Sequence, residues 1–188
     1  MINMKDGQVV FQGKTARGLS IIIRYPKKTD LTACWQYINA LSEERTFLRF
    51  QGEQISLAEE KKWLERRLEK ISKNQLAHFL VFSKRKLVAS ADIEPGEMGA
   101  ERHVGLFGIS VAKRARGQGI GKLVVKLILE EARKAIPSLK IITLGVFASN
   151  QRALSLYKKF GFVEYGRLPK GIVHREKYID YIHMYRNV

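Results

Sequence analysis

Apolar residues along the chain recur with two periods, one typical of strands and the other of amphipathic helices. The run 19–25 is rich in isoleucine and ends at Pro26, which predicts a strand. Thr29 or Asp30 then offers an N-cap for a helix. The apolar face of that helix comprises Leu31, Cys34, Trp35, Ile38 and Leu41.

A second helix is predicted to begin at Ser56, because Ser56 and Glu59 have the spacing of a capping box. Its apolar side comprises Leu64, Leu68 and Ile71. The opposite face is predicted to be solvated, and it comprises Lys61, Lys62, Arg66 and Arg67.

The rest of the chain alternates strands with helices, which predicts a mixed α/β fold. Runs at 77–82 and 87–94 suggest an antiparallel hairpin, and 103–111 adds a third strand. A glycine-rich segment then leads into a long amphipathic helix that stops at Pro137. The last predicted elements are a strand at 141–147, a helix at 150–160, and strands at 162–167 and 178–185. Residues 1–18 show no clear period, so we expect a lead-in arm followed by one domain over 19–188.

Composition narrows the class of protein. A length of 188 residues with 45% hydrophobic content suits one domain with a substantial core. Cys34 is the only cysteine, which excludes an intrachain disulfide and favours a reducing compartment. No stretch approaches the roughly 20 apolar residues of a spanning helix, and charges interrupt the N-terminal region. We expect a cytoplasmic protein without membrane contact, and no metal, since the four histidines lack ligand spacing.

The formal net charge of +16 predicts a positive field that attracts anions. Nucleic acid, anionic lipid and a phosphorylated small molecule all carry the required charge, so the sign of the field does not choose among them. The positive residues are spread over several predicted elements, and no known nucleic-acid-binding motif is present.

The segment 109–122 carries the clearest chemistry, because an apolar strand is followed by glycines and then by a helix. Glycines let backbone N–H groups approach a ligand, and a helix N-terminus favours an anion such as pyrophosphate. A P-loop would need Ser or Thr after Lys122, and a dinucleotide fingerprint would need a third glycine three residues after Gly119. The chain has Leu123 where a P-loop needs Ser or Thr, and Lys122 where a dinucleotide fingerprint needs its third glycine. The alternative is a glycine turn that merely packs closely against the sheet.

The pattern Arg-x-x-Gly-x-Gly after a strand resembles the coenzyme A loop of the GNAT N-acetyltransferase superfamily. The segment 147–162 resembles a second block of that superfamily, with strand, Asn150, a short helix carrying Tyr157, and Gly-Phe. The order of elements agrees over about residues 20–187, while the specific motifs lie within 103–162. The resemblance implies a GNAT-type fold of about seven strands and four helices, with acetyl-CoA as co-substrate.

The resemblance also implies roles for individual residues. The main chain of Ile109 and Val111 would hold the pantetheine arm and the acetyl carbonyl, where two central strands splay apart. Asn150 would contact the coenzyme, although its side chain suits a helix N-cap equally well. The pyrophosphate would be held by the backbone amides of Arg116, Gly117, Gln118, Gly119, Ile120, Gly121 and Lys122.

Acetyl transfer to an amine needs an acid for the departing thiolate and a base for the amine. Tyr157 is the predicted acid and would contact the coenzyme, although a helix tyrosine can also be a core residue. Some family members carry a glutamate six residues before the position of Val111, where this chain has Gly105. Glu94 and His103 are the nearest alternatives for the base, directly or through water.

The expected function is N-acetylation of a primary amine of a small molecule or peptide through a direct ternary complex. The alternative is a basic nucleic-acid-binding protein with a vestigial coenzyme loop. We expect the acceptor to bind near 42–54, with help from the last two strands, and a homodimer would match many relatives. An acidic acceptor pocket would comprise Glu43, Glu44, Glu53 and Asp180.

Overall fold

The computed structural model of the chain describes residues 5–188. Eight strands within these residues form one sheet: β1 (Val9–Lys14), β2 (Ser20–Arg24), β3 (Ala77–Ser83), β4 (Lys86–Pro95), β5 (Val104–Val111), β6 (Ile141–Phe147), β7 (Val163–His174) and β8 (Lys177–Asn187). Four α-helices accompany it: α1 (Leu31–Glu43), α2 (Leu57–Ser72), α3 (Ile120–Ala135) and α4 (Gln151–Lys159). The strand order is β1-β2-β3-β4-β5-β6-β8-β7.

The only parallel pair in the described sheet is β5 with β6, which α3 connects. Their pairing is short, because residues 104–106 face 141–143 and no further pair follows. By contrast, β5 pairs with β4 along its whole length, from Gly105 opposite Pro95 to Val111 opposite Ala89. The strands β5 and β6 therefore part towards their carboxyl ends, as the resemblance implied.

The two faces of the sheet carry different helices because side chains alternate along each strand. Ala91 and Ile93 of β4 pack in the same core cluster as Val124 and Ile128 of α3. The α4 helix joins this face through Leu154. On the opposite face, a second cluster joins α1 to the sheet through Cys34, Tyr37, Leu41, Leu80 and Leu87.

Short sequence patterns predicted the position of most helices and strands. The Ser56 hydroxyl accepts a hydrogen bond from the Glu59 amide at 3.2 Å, and the Glu59 carboxylate accepts one from the Ser56 amide at 2.8 Å. The predicted capping box is therefore confirmed, and α2 starts at the next residue. No helix within residues 5–188 is long and apolar enough to cross a membrane.

Three expectations were wrong in detail. Residues 9–14 form an edge strand paired with β2, so the sheet has eight strands instead of about seven. Strand β7 extends through 163–174, well beyond the predicted 162–167, while β8 at 177–187 exceeds its prediction by one or two residues at each end; the two strands pair as a long hairpin. Arg67 is only 6% exposed instead of solvated, since Asp92 and Glu94 on β4 bind its guanidinium.

Candidate active site

The glycine-rich segment has the backbone geometry of an anion-binding loop. Gly117 and Gly119 have φ values of +82° and +83°, a region that residues with a side chain rarely adopt. A Cβ added at Gly117 would meet nothing within 4 Å, so this glycine is not required by close packing against the sheet. The α3 helix begins at Ile120, directly after this turn, so its first amides and the positive end of its dipole lie at the end of the glycine-rich segment.

The Arg116 side chain is turned away from that space. Its Nε donates a hydrogen bond to the Val111 carbonyl at 2.8 Å, and its guanidinium pairs with Glu44 at the end of α1. The Glu44 carboxylate also accepts a hydrogen bond from the Lys113 amide at 3.2 Å. Arg116 therefore ties the loop to α1, and its guanidinium is not directed at a ligand of the loop.

The parted section of β5 presents different residues to its two faces. Ile109 and Val111 pack against the core cluster on the α3 face. Ser110 lies between them and faces α1, where its hydroxyl is 3.0 Å from the Tyr37 hydroxyl. One short stretch of strand therefore separates the loop side of the sheet from the α1 side.

Asn150 caps α4, because its side-chain oxygen accepts a hydrogen bond from the Ala153 amide at 3.2 Å. Tyr157 lies two turns further along and is 8% exposed. Its ring makes edge-to-face contacts with Phe107 and Phe162, each at a centroid distance of 5.9 Å. Burial raises the pKa of Tyr157 to about 12, so the phenol keeps its proton at neutral pH. Within residues 5–188 its hydroxyl has no hydrogen-bond partner.

Tyr181 was missed by sequence reasoning. It comes from β8, and its phenol crosses Gly145 on β6 so closely that a Cβ at position 145 would overlap it. Tyr181 also packs at 6.2 Å on Phe147, which contacts His174 and Phe47. These rings join the loop after α1 to the last three strands on the α1 face, and no local pattern marks such a cluster.

The two base candidates lie in different places. Glu94 accepts salt bridges from Arg67 at 2.5 Å and from Lys70 at 2.6 Å, so cations occupy both of its oxygens. His103 is exposed and directly precedes β5, eight residues before Val111. At about 3.3 Å per residue, His103 is more than 20 Å from the end of the strand that joins the glycine loop.

A cavity of about 370 Å³ lies between α1, α2, β4 and β5, and its floor includes Ser110. The acidic residues predicted to form a pocket do not line it. Glu44 binds Arg116, Asp180 binds Arg167, and Glu53 binds the Gln51 amide. The acidic residues that line the cavity are Glu59, Glu60 and Asp92. No cluster of three or more His, Cys, Asp or Glu suited to a metal occurs among residues 5–188.

This mixed sheet, whose central parallel strands part beside the start of α3, has the arrangement implied by the resemblance to a superfamily of acyl-CoA-dependent transferases. The profile of the Acetyltransferase (GNAT) family matches residues 35–162. The chain therefore belongs to the GNAT acetyltransferase family, whose members use acetyl-CoA.

Solved structures agree with this assignment. A GNAT-family acetyltransferase from Streptococcus pneumoniae is 26% identical, with a TM-score of 0.81 over 89% of this chain and 99% of the other. A ribosomal-protein-alanine N-acetyltransferase from Brucella melitensis is 24% identical, with a TM-score of 0.76 over 88% and 99%. The YncA protein of Salmonella typhimurium, described with its cofactor acetyl-CoA, shares the fold at 16% identity, with a TM-score of 0.76 over 89% and 93%.

Proposed function

We propose that the protein is an acetyl-CoA-dependent N-acetyltransferase that passes the acetyl group to a primary amine in a direct ternary complex. The observation that carries the proposal is the position of Ser110. This residue lies on the parted strand β5, with the glycine loop following the strand on one side and the 370 Å³ cavity on the other. Two ligands can therefore meet at one strand from opposite faces, which is the geometry that direct transfer needs.

The residues of the loop fit the coenzyme. Its diphosphate would bind the amides of 116–122, where two left-handed glycines precede the start of α3 and a Cβ at Gly117 would meet nothing within 4 Å. Ile109 and Val111 would hold the pantetheine arm and the acetyl carbonyl with their main chain. Asn150 would approach the coenzyme from the start of α4 while also capping that helix.

Acetyl-CoA supplies an activated thioester, and attack by a neutral amine yields an amide and the CoA thiol. Tyr157 is our choice for the acid, because its phenol stays protonated and its hydroxyl lacks a protein partner within residues 5–188. The amine must lose a proton, and we retain Glu94 as the base; because Arg67 and Lys70 bind both of its oxygens, it would act through water along the polar face of β4. His103 receives no role because of its distance from Val111.

The positive charge of the chain fits this proposal as well as it fits nucleic-acid binding, because coenzyme A carries phosphates of its own. The two readings differ in how binding responds to salt. Nonspecific DNA binding falls steeply as salt rises, whereas a coenzyme held by main-chain donors in a shaped site loses less affinity.

The test is calorimetric titration of the full chain with acetyl-CoA at two salt concentrations, with a duplex of arbitrary sequence as the comparison ligand. We expect saturable one-site coenzyme binding that survives added salt, followed by amine-dependent release of CoA thiol. A folded sample that does not bind acetyl-CoA, but binds the duplex with an affinity that falls steeply as salt rises, would overturn the proposal.

A further inference from the structure

The cavity on the α1 face combines apolar walls with one unusual acidic residue. Its apolar and aromatic lining comprises Tyr37, Ile38, Phe50, Ile55, Trp63, Leu80 and Leu87. Phe50 and Glu59 are exposed, so the cavity opens beside the loop between α1 and α2. Ser90 and Ser110 lie together at the opposite end, as partners in the β4–β5 register. The cavity thus runs from solvent to the parted strand.

Glu60 lines this cavity although it belongs to the buried face of α2. It lies one turn before Leu64, and only 5% of its surface is exposed. Within residues 5–188 its carboxylate has no hydrogen-bond or ion-pair partner. An unpaired buried carboxylate is costly and uncommon, and it is more so in a chain with 34 Lys and Arg.

The nearby cations are engaged elsewhere. Arg67 binds Asp92 at 2.5 Å and Glu94 at 2.5 Å, and Lys70 binds Glu94 and Glu97. Asp92, the other acidic residue deep in the cavity, is therefore already neutralised by Arg67. Glu60 is left as the single buried carboxylate of the cavity without a counter-ion.

We propose that the cavity binds the acceptor and that the Glu60 carboxylate binds the ammonium group of the acceptor. This inference rests on the proposed function. The acceptor is a primary amine with one positive charge on an apolar body about the size of an aromatic side chain. Aromatic walls favour such a body, and a single buried carboxylate without a counter-ion favours one cationic group over several, since Glu59 at the mouth is bound by the Ser56 amide and hydroxyl. A polyamine would leave further charges against apolar walls, and an acidic acceptor would be repelled by Glu60.

The titratable groups that share the cavity with Glu60 are Cys34 and Tyr37 on α1, Glu59 on α2 and Asp92 on β4. Burial raises the pKa of Glu60 to about 7, so the residue is partly protonated in the empty cavity at neutral pH. A bound ammonium favours the ionised carboxylate, and therefore amine binding should release a proton from Glu60. Burial also raises the pKa values of Cys34 and Tyr37, which keep their protons throughout.

The first measurement is the amine dependence of CoA-thiol release, with 2-phenylethylamine, spermidine and a tripeptide with an N-terminal phenylalanine as acceptors. We expect phenylethylamine or the tripeptide to have a kcat/KM at least about tenfold above spermidine, since spermidine would place further ammonium groups against apolar walls and an unpaired polar group costs about that factor. The acceptor with the higher kcat/KM, phenylethylamine or the tripeptide, shows whether the apolar ammonium comes from a small molecule or from a peptide N-terminus. A preference for spermidine would overturn the proposal.

The second measurement uses Glu60→Gln, which keeps the shape of the side chain and removes its charge. We expect the KM for the preferred amine to rise about 10- to 100-fold with little change in kcat or in acetyl-CoA affinity. The matched control is Glu65→Gln, an exposed residue of the same helix outside the cavity. An unchanged KM in a folded Glu60→Gln protein would overturn the role of Glu60.

A third readout does not depend on turnover. Calorimetry of 2-phenylethylamine binding to the CoA complex at pH 7, in buffers of different ionisation enthalpy, reports proton release. The wild type and Glu65→Gln should release a fraction of a proton that Glu60→Gln does not release, and equal release by all three proteins would contradict the proposal. Failure of the proposed function itself would appear differently, as absence of acetyl-CoA binding and of transfer to any amine.

Discussion

The two sides of the parted strand β5 are built by different means. On the α3 side, the proposed coenzyme contacts come from the main chain of one continuous segment, 109–122, and from the start of α4. On the α1 side, the cavity takes its side chains from α1, α2, β3, β4 and β5. The first side depends on backbone conformation and the second on tertiary packing.

This difference separates two kinds of specificity. A main-chain cradle recognises a diphosphate, which is common to all ligands of one coenzyme class, and tolerates changes in neighbouring side chains. A side-chain cavity recognises what is particular to an acceptor, so single substitutions there change substrate preference. Substitutions on the loop side should therefore lower the affinity for the coenzyme, whereas substitutions in the cavity should change the preference for the acceptor.

The largest effect is expected from Gly119→Asp. Its backbone is left-handed, and a carboxylate there would place negative charge where phosphate oxygens bind. We expect acetyl-CoA affinity measured by calorimetry to fall about 100-fold or more. Gly161→Asp is the matched control, because Gly161 has a φ of +78° with nothing within 4 Å and lies at the other end of α4. Normal acetyl-CoA affinity in a folded Gly119→Asp protein would show that the loop does not bind the coenzyme.

The next effect concerns the acid. Tyr157→Phe should lower kcat about 100-fold, the usual contribution of a positioned proton donor, and leave acetyl-CoA affinity nearly unchanged. Tyr165→Phe, on an exposed ring of β7, is the control. Tyr181→Phe sharpens the test, since its phenol lies across Gly145 on the opposite face. A large loss of kcat in Tyr181→Phe with none in Tyr157→Phe would show that Tyr181, on the α1 side, is the acid instead of Tyr157.

A third effect should appear in stability. Arg67→Met leaves Asp92 and Glu94 without their buried partner, which should lower the free energy of unfolding by about 3 kcal/mol. Lys73→Met breaks only an exposed pair with Glu69 and should cost about 0.5 kcal/mol or less. Urea denaturation of the two variants measures the contrast. Equal losses would show that the ion pairs on the cavity side do not hold α2 against the sheet.

The smallest effect is the pH dependence of stability that Glu60 produces. Because its pKa rises from 4.5 to about 7 on folding, its stabilising contribution is full below pH 4.5 and is lost as pH rises through about 7. Glu60→Gln should therefore have a Tm a few degrees above wild type at pH 8 and close to it at pH 5. Glu65→Gln should follow wild type at both values. A constant difference across this range would show that Glu60 titrates normally.

The predictions from sequence succeeded where the determining contacts are local. The capping box of Ser56 and Glu59 marked the start of α2, and the run 141–147 matches β6. The turn before α3 has the left-handed backbone that Gly117 and Gly119 allow, while coenzyme binding by this loop stays a prediction. Strand β1 was missed, since the weakly patterned run 9–14 becomes a strand only through pairing with β2.

The amino-acid sequence alone determined the order of the elements after residue 18, the glycine turn before α3 and the family, because each depends on residues within one or two turns of each other. The tertiary structure decided the acceptor side. Glu60 and Asp92 are 32 residues apart in the chain and line one cavity only because α2 packs on β4. Arg67 became a buried partner through the same packing, and Tyr181 came to lie over Gly145 because β8 pairs with β6. Long-range packing follows from the fit of whole faces, which no local pattern encodes.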